Sequence, residues 1–191
     1  MDCRFDFCFV RGECVVFQTL IASATVGAGG ATSMSFTSIP QTFTDLMLVV
    51  SARSALAATV SGQYLRFNGD GANNYTWVAV FGDGSTASSA ASSFGFIGNG
   101  VGASATTSVF GNAQIYIPNY TNSALKYWSS ELVGENNGST SEIRLLTGLW
   151  NNTAAINQIS VNFENQGSNT VQFSTAYLYG ILKGTGGATA S

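Results

Sequence analysis

The chain of 191 residues contains no histidine. It therefore lacks the side chain that titrates near neutral pH, which is also the usual general base and the commonest metal ligand. Charge is scarce too. Asp, Glu, Lys and Arg make up 9% of the residues, against roughly 25% in an average soluble domain. The net charge is −3. The basic residues Arg4, Arg11, Arg53, Arg66, Lys126, Arg144 and Lys183 are scattered along the chain. Neutralising a phosphate track takes a basic cluster, so no nucleic-acid partner is expected.

Cysteine is confined to Cys3, Cys8 and Cys14. None stands in a CxxC spacing and no histidine completes a zinc set, so no metal site is expected from them. An odd count at one end is no disulfide framework. Reduced structural thiols are the expectation, with one intrachain bridge left open. Long apolar runs are missing as well. No stretch approaches the ~20 apolar residues of a spanning helix, so no membrane partner is expected. The run at 14–24 (CVVFQTLIASA) has the outline of a signal-peptide core. Asp2 and Asp6 offset the positive charge such a segment carries, and Arg11-Gly12-Glu13 interrupts the apolar stretch, so it is read as mature chain.

What is present is apolar and aromatic: 45% and 12% of the residues respectively. Disorder requires low hydrophobicity with high net charge, and neither holds. The length suits one well-buried core. Helical periodicity is absent, and short β-rich runs alternate with Gly, Ser, Asn and Asp clusters. This spacing predicts an all-β fold, an antiparallel β-sandwich of about ten strands. The expected strands cover 16–24, 32–38, 45–53, 63–68, 74–81, 112–118, 125–133, 142–150, 156–163 and 171–182.

Period-two alternation assigns faces. Ala113, Ile115 and Ile117 point inward, with Gln114 and Tyr116 outward. Ile159, Val161 and Phe163 point inward, with Gln158, Ser160 and Asn162 outward. Val171, Phe173, Thr175, Tyr177, Tyr179 and Ile181 share one face. The unbroken run 46–50 reads as a central strand covered on both sides. Leu46, Leu48, Val50, Ile115, Ile117, Ile159, Val161, Phe163 and Tyr177 are thus the expected core. Turns are expected at Asn68-Gly69-Asp70-Gly71, Gly82-Asp83-Gly84 and Asn137-Gly138, where residues tolerate positive φ. Pro40 and Pro118 are placed at strand ends. The segment 85–108, with its apolar island Phe94-Gly95-Phe96-Ile97, reads either as a surface excursion with one short edge strand or as an interface loop. Three parts follow: an N-terminal arm at 1–15, a sandwich at 16–183 and a flexible tail at 184–191.

Chemistry-bearing constellations are few. Glu131 and Glu135 are four apart on one strand, hence ~13 Å from each other, whereas glycosidase carboxylates stand ~5 to 9.5 Å apart. Asn68, Asp70 and Asp83 offer oxygens in glycine-rich loops, but the spacing lacks the third ligand and distal Glu of a calcium loop. Gly27-Ala28-Gly29-Gly30 precedes a strand pattern, so it reads as a turn and not as a phosphate cradle. No GxSxG motif occurs. Sequons stand at Asn74, Asn119, Asn137 and Asn151 and matter only in a glycosylating host. No catalytic residue, cofactor or metal is expected. Trp77, Trp128 and Trp150 fall in expected strands. Core packing is the plain account of them, and together with Tyr116 and Tyr120 they are the candidates for subunit or glycan contact.

The order of several motifs carries a resemblance. Ile39-Pro40-Gln41-Thr42-Phe43-Thr44-Asp45-Leu46, Leu65-Arg66-Phe67-Asn68-Gly69-Asp70 and Asn73-Asn74-Tyr75-Thr76-Trp77 come first. Ile115-Tyr116-Ile117-Pro118-Asn119-Tyr120, Glu135-Asn136-Asn137, Gly148-Leu149-Trp150-Asn151-Asn152-Thr153-Ala154-Ala155-Ile156 and Ser174-Thr175-Ala176-Tyr177-Leu178-Tyr179-Gly180-Ile181 follow. Over residues 18 to 182 this succession resembles small virion structural proteins of tailed bacteriophages. The resemblance implies a jelly-roll-like sandwich without enzymatic activity. It implies virion structure, and the first expectation is a homotrimer that decorates and cements the capsid exterior against the major capsid protein, in a virion assembled in the host cytoplasm. A tail-fibre or receptor-binding module that contacts tail proteins and host glycans is the alternative. A jelly-roll carbohydrate-active enzyme is a third reading and requires two carboxylates converging in one cleft. The Cys3–Cys14 arm departs from the short lead of such proteins.

Overall fold

Alternating apolar and polar side chains lay down two sheets in the computed structural model of the chain, which describes residues 9–10, 13–14, 18–82, 87–92, 95–135, 141–163 and 169–182. In chain order the strands are β1 (Phe9–Val10), β2 (Glu13–Cys14), β3 (Gln18–Thr25), β4 (Met34–Phe36), β5 (Asp45–Ala52), β6 (Val60–Phe67) and β7 (Tyr75–Gly82). They continue as β8 (Ala87–Ser92), β9 (Phe96–Val101), β10 (Gly111–Ile117), β11 (Lys126–Glu135), β12 (Ser141–Trp150), β13 (Ile159–Asn162) and β14 (Thr175–Ile181). No helix occurs among the described residues.

The larger sheet has eight strands in the order β3-β14-β5-β10-β11-β12-β7-β8, and the smaller has four, β4-β13-β6-β9. Every neighbouring pair is antiparallel. The two stack as an antiparallel β-sandwich. Of the arm expected at 1–15, only the small hairpin β1–β2 is described, and it belongs to neither large sheet. The tail expected at 184–191 lies outside the described residues, as do the turns at Asp83-Gly84 and Asn137-Gly138.

All ten expected strands form. Leu46, Leu48 and Val50 of β5, Ile115 and Ile117 of β10, and Ile159, Val161 and Phe163 from β13 onward are buried between the sheets. An aromatic group fills one end of this core. Phe67 lies 5.5 Å from Trp150 and 5.9 Å from Trp128, and Tyr75 stacks on Trp150 with an interplanar angle of 16°. Such pairs contribute roughly 0.5–1.5 kcal/mol each beyond the area they bury. Gly148 pairs with Trp128 across β11 and β12, and the indole lies over it. A Cβ there would fall 2.0 Å from Trp128 Cζ2.

Buried cations find partners in the backbone. The Arg53 guanidinium donates to the carbonyls of Ala103, Ala105, Thr106 and Val109, which ties the loop after β9 to the end of β5. Lys126 is 1% exposed and donates to the carbonyls of Asn122, Ala124 and Thr153. Burial pulls its pKa below the ordinary lysine value.

Four expectations need correction. Val49 is exposed, so β5 is covered on one face only and its apolar run hides an ordinary alternation. The face of β14 is inverted: Ala176 and Leu178 are buried while Tyr177 is 38% exposed. Phe173, with φ of 71°, is exposed as well. Small residues occupy the inner face of β14 because other side chains fill the space, and a Cβ on Gly180 would sit 2.4 Å from the Phe43 ring. Ser160 and Asn162 are buried on the outer side of β13, where Arg66 and Tyr64 flank them across the strand pair. Finally, segment 85–108 holds two strands, each an edge of a different sheet. β9 is core, with Ile97 and Val101 buried completely. Its glycines are sites of close packing: Gly98, with φ of 138°, backs onto Leu132.

Candidate functional site

The turn after β6 shows how the polar residues are used. Asn68 and Gly69 take positive φ, 52° and 71°. Asn68 donates to the Ala155 carbonyl and its Oδ1 accepts from the amides of Asn157 and Gln158, so it clips the loop before β13 to the turn. Asp70 Oδ1 accepts from the Ala72 amide, and Oδ2 accepts from Asn74 Nδ2 and from the Trp150 indole at 2.8 Å. The Asn74 bond is the largest of the effects that lower the Asp70 pKa; Trp150, Ala72 and Arg66 add to it, and partial burial opposes them. The Tyr75 hydroxyl donates to the Asp70 carbonyl and accepts from the Phe67 amide. Desolvation pushes Tyr75 up to about 12. Every contact on the carboxylate is a donor, the opposite of what a cation requires. Among the described residues no three acidic or sulfur side chains come together. Asp83 lies outside the described residues.

The other carboxylates are dispersed. Asp45 is buried at the start of β5 and accepts from the Tyr116 hydroxyl at 2.6 Å and the Asn119 amide at 2.8 Å. That hydrogen bond to Asp45 raises Tyr116 to about 12. Glu135 accepts from the amide and hydroxyl of Thr106, and Glu142 pairs with Arg144. Glu131 stands on the solvent face of β11 and makes no hydrogen bond or ion pair with the described residues. Glu131 and Glu135 lie along one extended strand, as their spacing predicts.

Of the five aromatic residues singled out in the sequence, Trp128, Trp150 and Tyr120 are fully buried. Tyr120 donates its hydroxyl to the Pro40 carbonyl. These three present no ring to a glycan or a subunit. Trp77 is half-buried and packs on Phe96 at 4.5 Å. Tyr116 alone faces outward, with its hydroxyl held by Asp45.

Apolar surface lies instead on the solvent face of the eight-stranded sheet. Register carries one row across it as Tyr177, Val49, Gln114, Glu131, Leu145 and Val80. The next row runs Tyr179, Met47, Tyr116, Ser129, Thr147 and Val78. Val80 and Leu145, paired directly, are 57% and 56% exposed. Val78 and Ile143 adjoin them, and Tyr127 is exposed at one end of β11. The surface dips slightly between Val78, Val80 and Leu145, and again between Gln114, Tyr116 and Glu131. Neither dip brings two carboxylates together; the second holds Glu131 and Tyr116 on an open surface. Sequence reading missed Val78, Val80, Ile143 and Leu145 because aromatic content directed attention to tryptophan. The signal was present in the apolar residues at alternate positions on the outward faces of 75–82 and 141–150. No protein-family model, curated protein or solved structure matches the chain.

Proposed function

We propose that this chain is a non-enzymatic structural protein of a bacteriophage virion, a trimeric decoration protein that cements the capsid exterior. The observation that supports this reading is the broad, charge-poor solvent face of the larger sheet, where Val78, Val80, Ile143 and Leu145 are exposed together. Clustered apolar surface of this kind marks contact with other proteins. A stable joint of ~1,600 Å² needs complementary side chains and no reaction chemistry. The motif order from Ile39 to Ile181 directs the reading to virions. Partners are then further copies of the chain and the major capsid protein. Exposed Tyr127 favours the second reading, a tail-fibre module stacking on host glycans.

Quantifying this chain against the major capsid protein on gels of purified virions tests the proposal. Hundreds of copies per particle are expected for a decoration protein. A few dozen copies mean a tail position, and absence from the particle overturns both readings.

A further inference from the structure

Four of the seven basic residues can be followed in the structure, and each is engaged within its own molecule. Arg53 and Lys126 are bound by carbonyls, Arg144 pairs with Glu142, and Arg66 lies beside Asp70. On the solvent face of the larger sheet, Glu131 sits directly across from Leu145, beside the apolar corner of Val78, Val80, Ile143 and Leu145. A segment that fits this corner must bring apolar side chains on one face and a positive charge. The remaining cations are Arg4, Arg11 and Lys183. The stretch around Lys183, LKGTGGATAS, has little apolar material to offer. The N-terminal arm reads Arg4-Phe5-Asp6-Phe7-Cys8-Phe9-Val10-Arg11, with phenylalanine at every second position, the spacing that puts side chains on one face of an extended segment.

We propose that this corner seats the N-terminal arm of a second copy of the chain, with Phe5, Phe7 and Phe9 on the apolar side chains and Arg4 or Arg11 against Glu131. The inference deepens the self-assembly in the proposed function and rests on that part alone, not on a place in a virion.

Reach constrains a molecule's own arm more than a neighbour's. The arm enters at Gln18 on β3, five strands from β12 in the sheet order. At ~4.8 Å per strand this is about 24 Å across. Gln18 pairs with Ile181, four residues along β14 from the row of Tyr177 and Leu145, which adds about 14 Å along the strand. Leu145 therefore lies about 28 Å from Gln18, and Val80 farther. Phe9 pairs with Cys14, so only four residue steps and one strand spacing separate it from Gln18. That holds it within about 20 Å. Phe9 reaches its own corner only with the chain drawn taut and its ring fully extended, a constraint that a neighbour's arm does not carry. Phe5 and Phe7 are within reach of either, and complementation between variants separates the two. Made between copies, the contact is heterologous, arm into sheet, and such contacts close into rings when the rotation allows, as a trimer requires.

Complementation between two variants of the otherwise intact chain tests this by light scattering on size-exclusion chromatography. Deletion of residues 1–17 removes the arm, and Val80→Glu with Leu145→Glu removes the seat. Each variant alone should dissociate with affinity weakened on the order of a hundred-fold, with an unchanged circular dichroism spectrum. Mixed, they should form a one-to-one heterodimer, because one supplies an arm and the other a seat. Should the deletion fail to fold, Phe7→Asp in the full chain replaces it. A full-length chain that stays monomeric at high concentration overturns the inference. Oligomers that survive either variant overturn it as well, and place the joint on another surface. Failure of the folded pair to complement overturns it in favour of face-to-face packing or arm contact within one molecule. None of these measurements uses particles, so absence from virions would overturn the virion reading and leave this one standing.

Discussion

At the scale of single residues, Asp70 and Gly148 hold the aromatic end of the core from two sides. Asp70 gathers three donors, one of them the Trp150 indole, and its pKa is lowered. A depressed carboxylate contributes stability that is complete above its ordinary pKa and is lost as pH falls through the folded value. The melting temperature of the wild-type chain should therefore drop as pH decreases below 3.8. Asp70→Asn should melt lower at neutral pH and show a shallower slope in that acid range. Parallel slopes for the two proteins would remove Asp70 from the account. Gly148→Ala sets two effects against each other. Restricting the unfolded chain favours the folded state by ~0.4–1 kcal/mol, while overpacking a filled core costs ~1–3 kcal/mol. With Trp128 atoms 2.0 Å from the added Cβ, the clash wins, and urea denaturation should show net destabilisation. A neutral or stabilising result would mean that the indole swings away freely. Residue identity announced part of this. Asn68-Gly69-Asp70 was legible as a turn, and core packing was the plain account of Trp128 and Trp150. Their cross-strand partners were not legible, because register is set by pairings far apart in the chain.

At the scale of elements, burial depends on what covers a face and not on the size of its residues. β14 carries Tyr177 and Tyr179 on one face and Ala176, Leu178 and Gly180 on the other. Sequence alternation separates the two sets correctly and cannot say which points inward. Phe43 and the facing sheet leave room only for the smaller set. Leu178→Ala should cost ~2–5 kcal/mol in denaturant unfolding, and Tyr177→Ser under ~1 kcal/mol, as for a side chain on an open face. Equal costs would mean that both faces are covered in the free molecule. The same reasoning explains β9. Gly98 and Gly100 gave it the composition of a loop, yet they are the points where the strand meets Leu132 and Phe163 most closely. Strands such as β10, with large apolar residues on one side and polar ones on the other, were legible in full.

At the scale of the molecule, the sandwich divides its surface unequally. The smaller sheet covers the core with four strands, while the larger spreads eight strands whose outward face, among the described residues, is most apolar at one corner, exposes Val49 and Tyr177 away from it, and carries little charge. A face of this kind suits packing against other subunits, and the scarcity of charge leaves little repulsion to oppose association. In the proposed joint the arm, richer in cysteine, phenylalanine and charge than anything after it, supplies what that face lacks. Among the described residues the core is built from residues after Gln18, so a chain without residues 1–14 should still fold, with its circular dichroism spectrum unchanged. If the chain is a virion protein as proposed, its attachment to particles should weaken, since each subunit would lose its hold on the next. Particles carrying the truncated chain should release their genome at lower temperature if the protein cements the capsid. Host adsorption should fall, with genome release unaltered, if it serves in a tail fibre. Thermal-release and adsorption assays on the same preparation separate the two outcomes. Attachment at full strength would place the joint on the sandwich alone. Loss of folding would make the arm part of the core and move the domain boundary to the start of the chain.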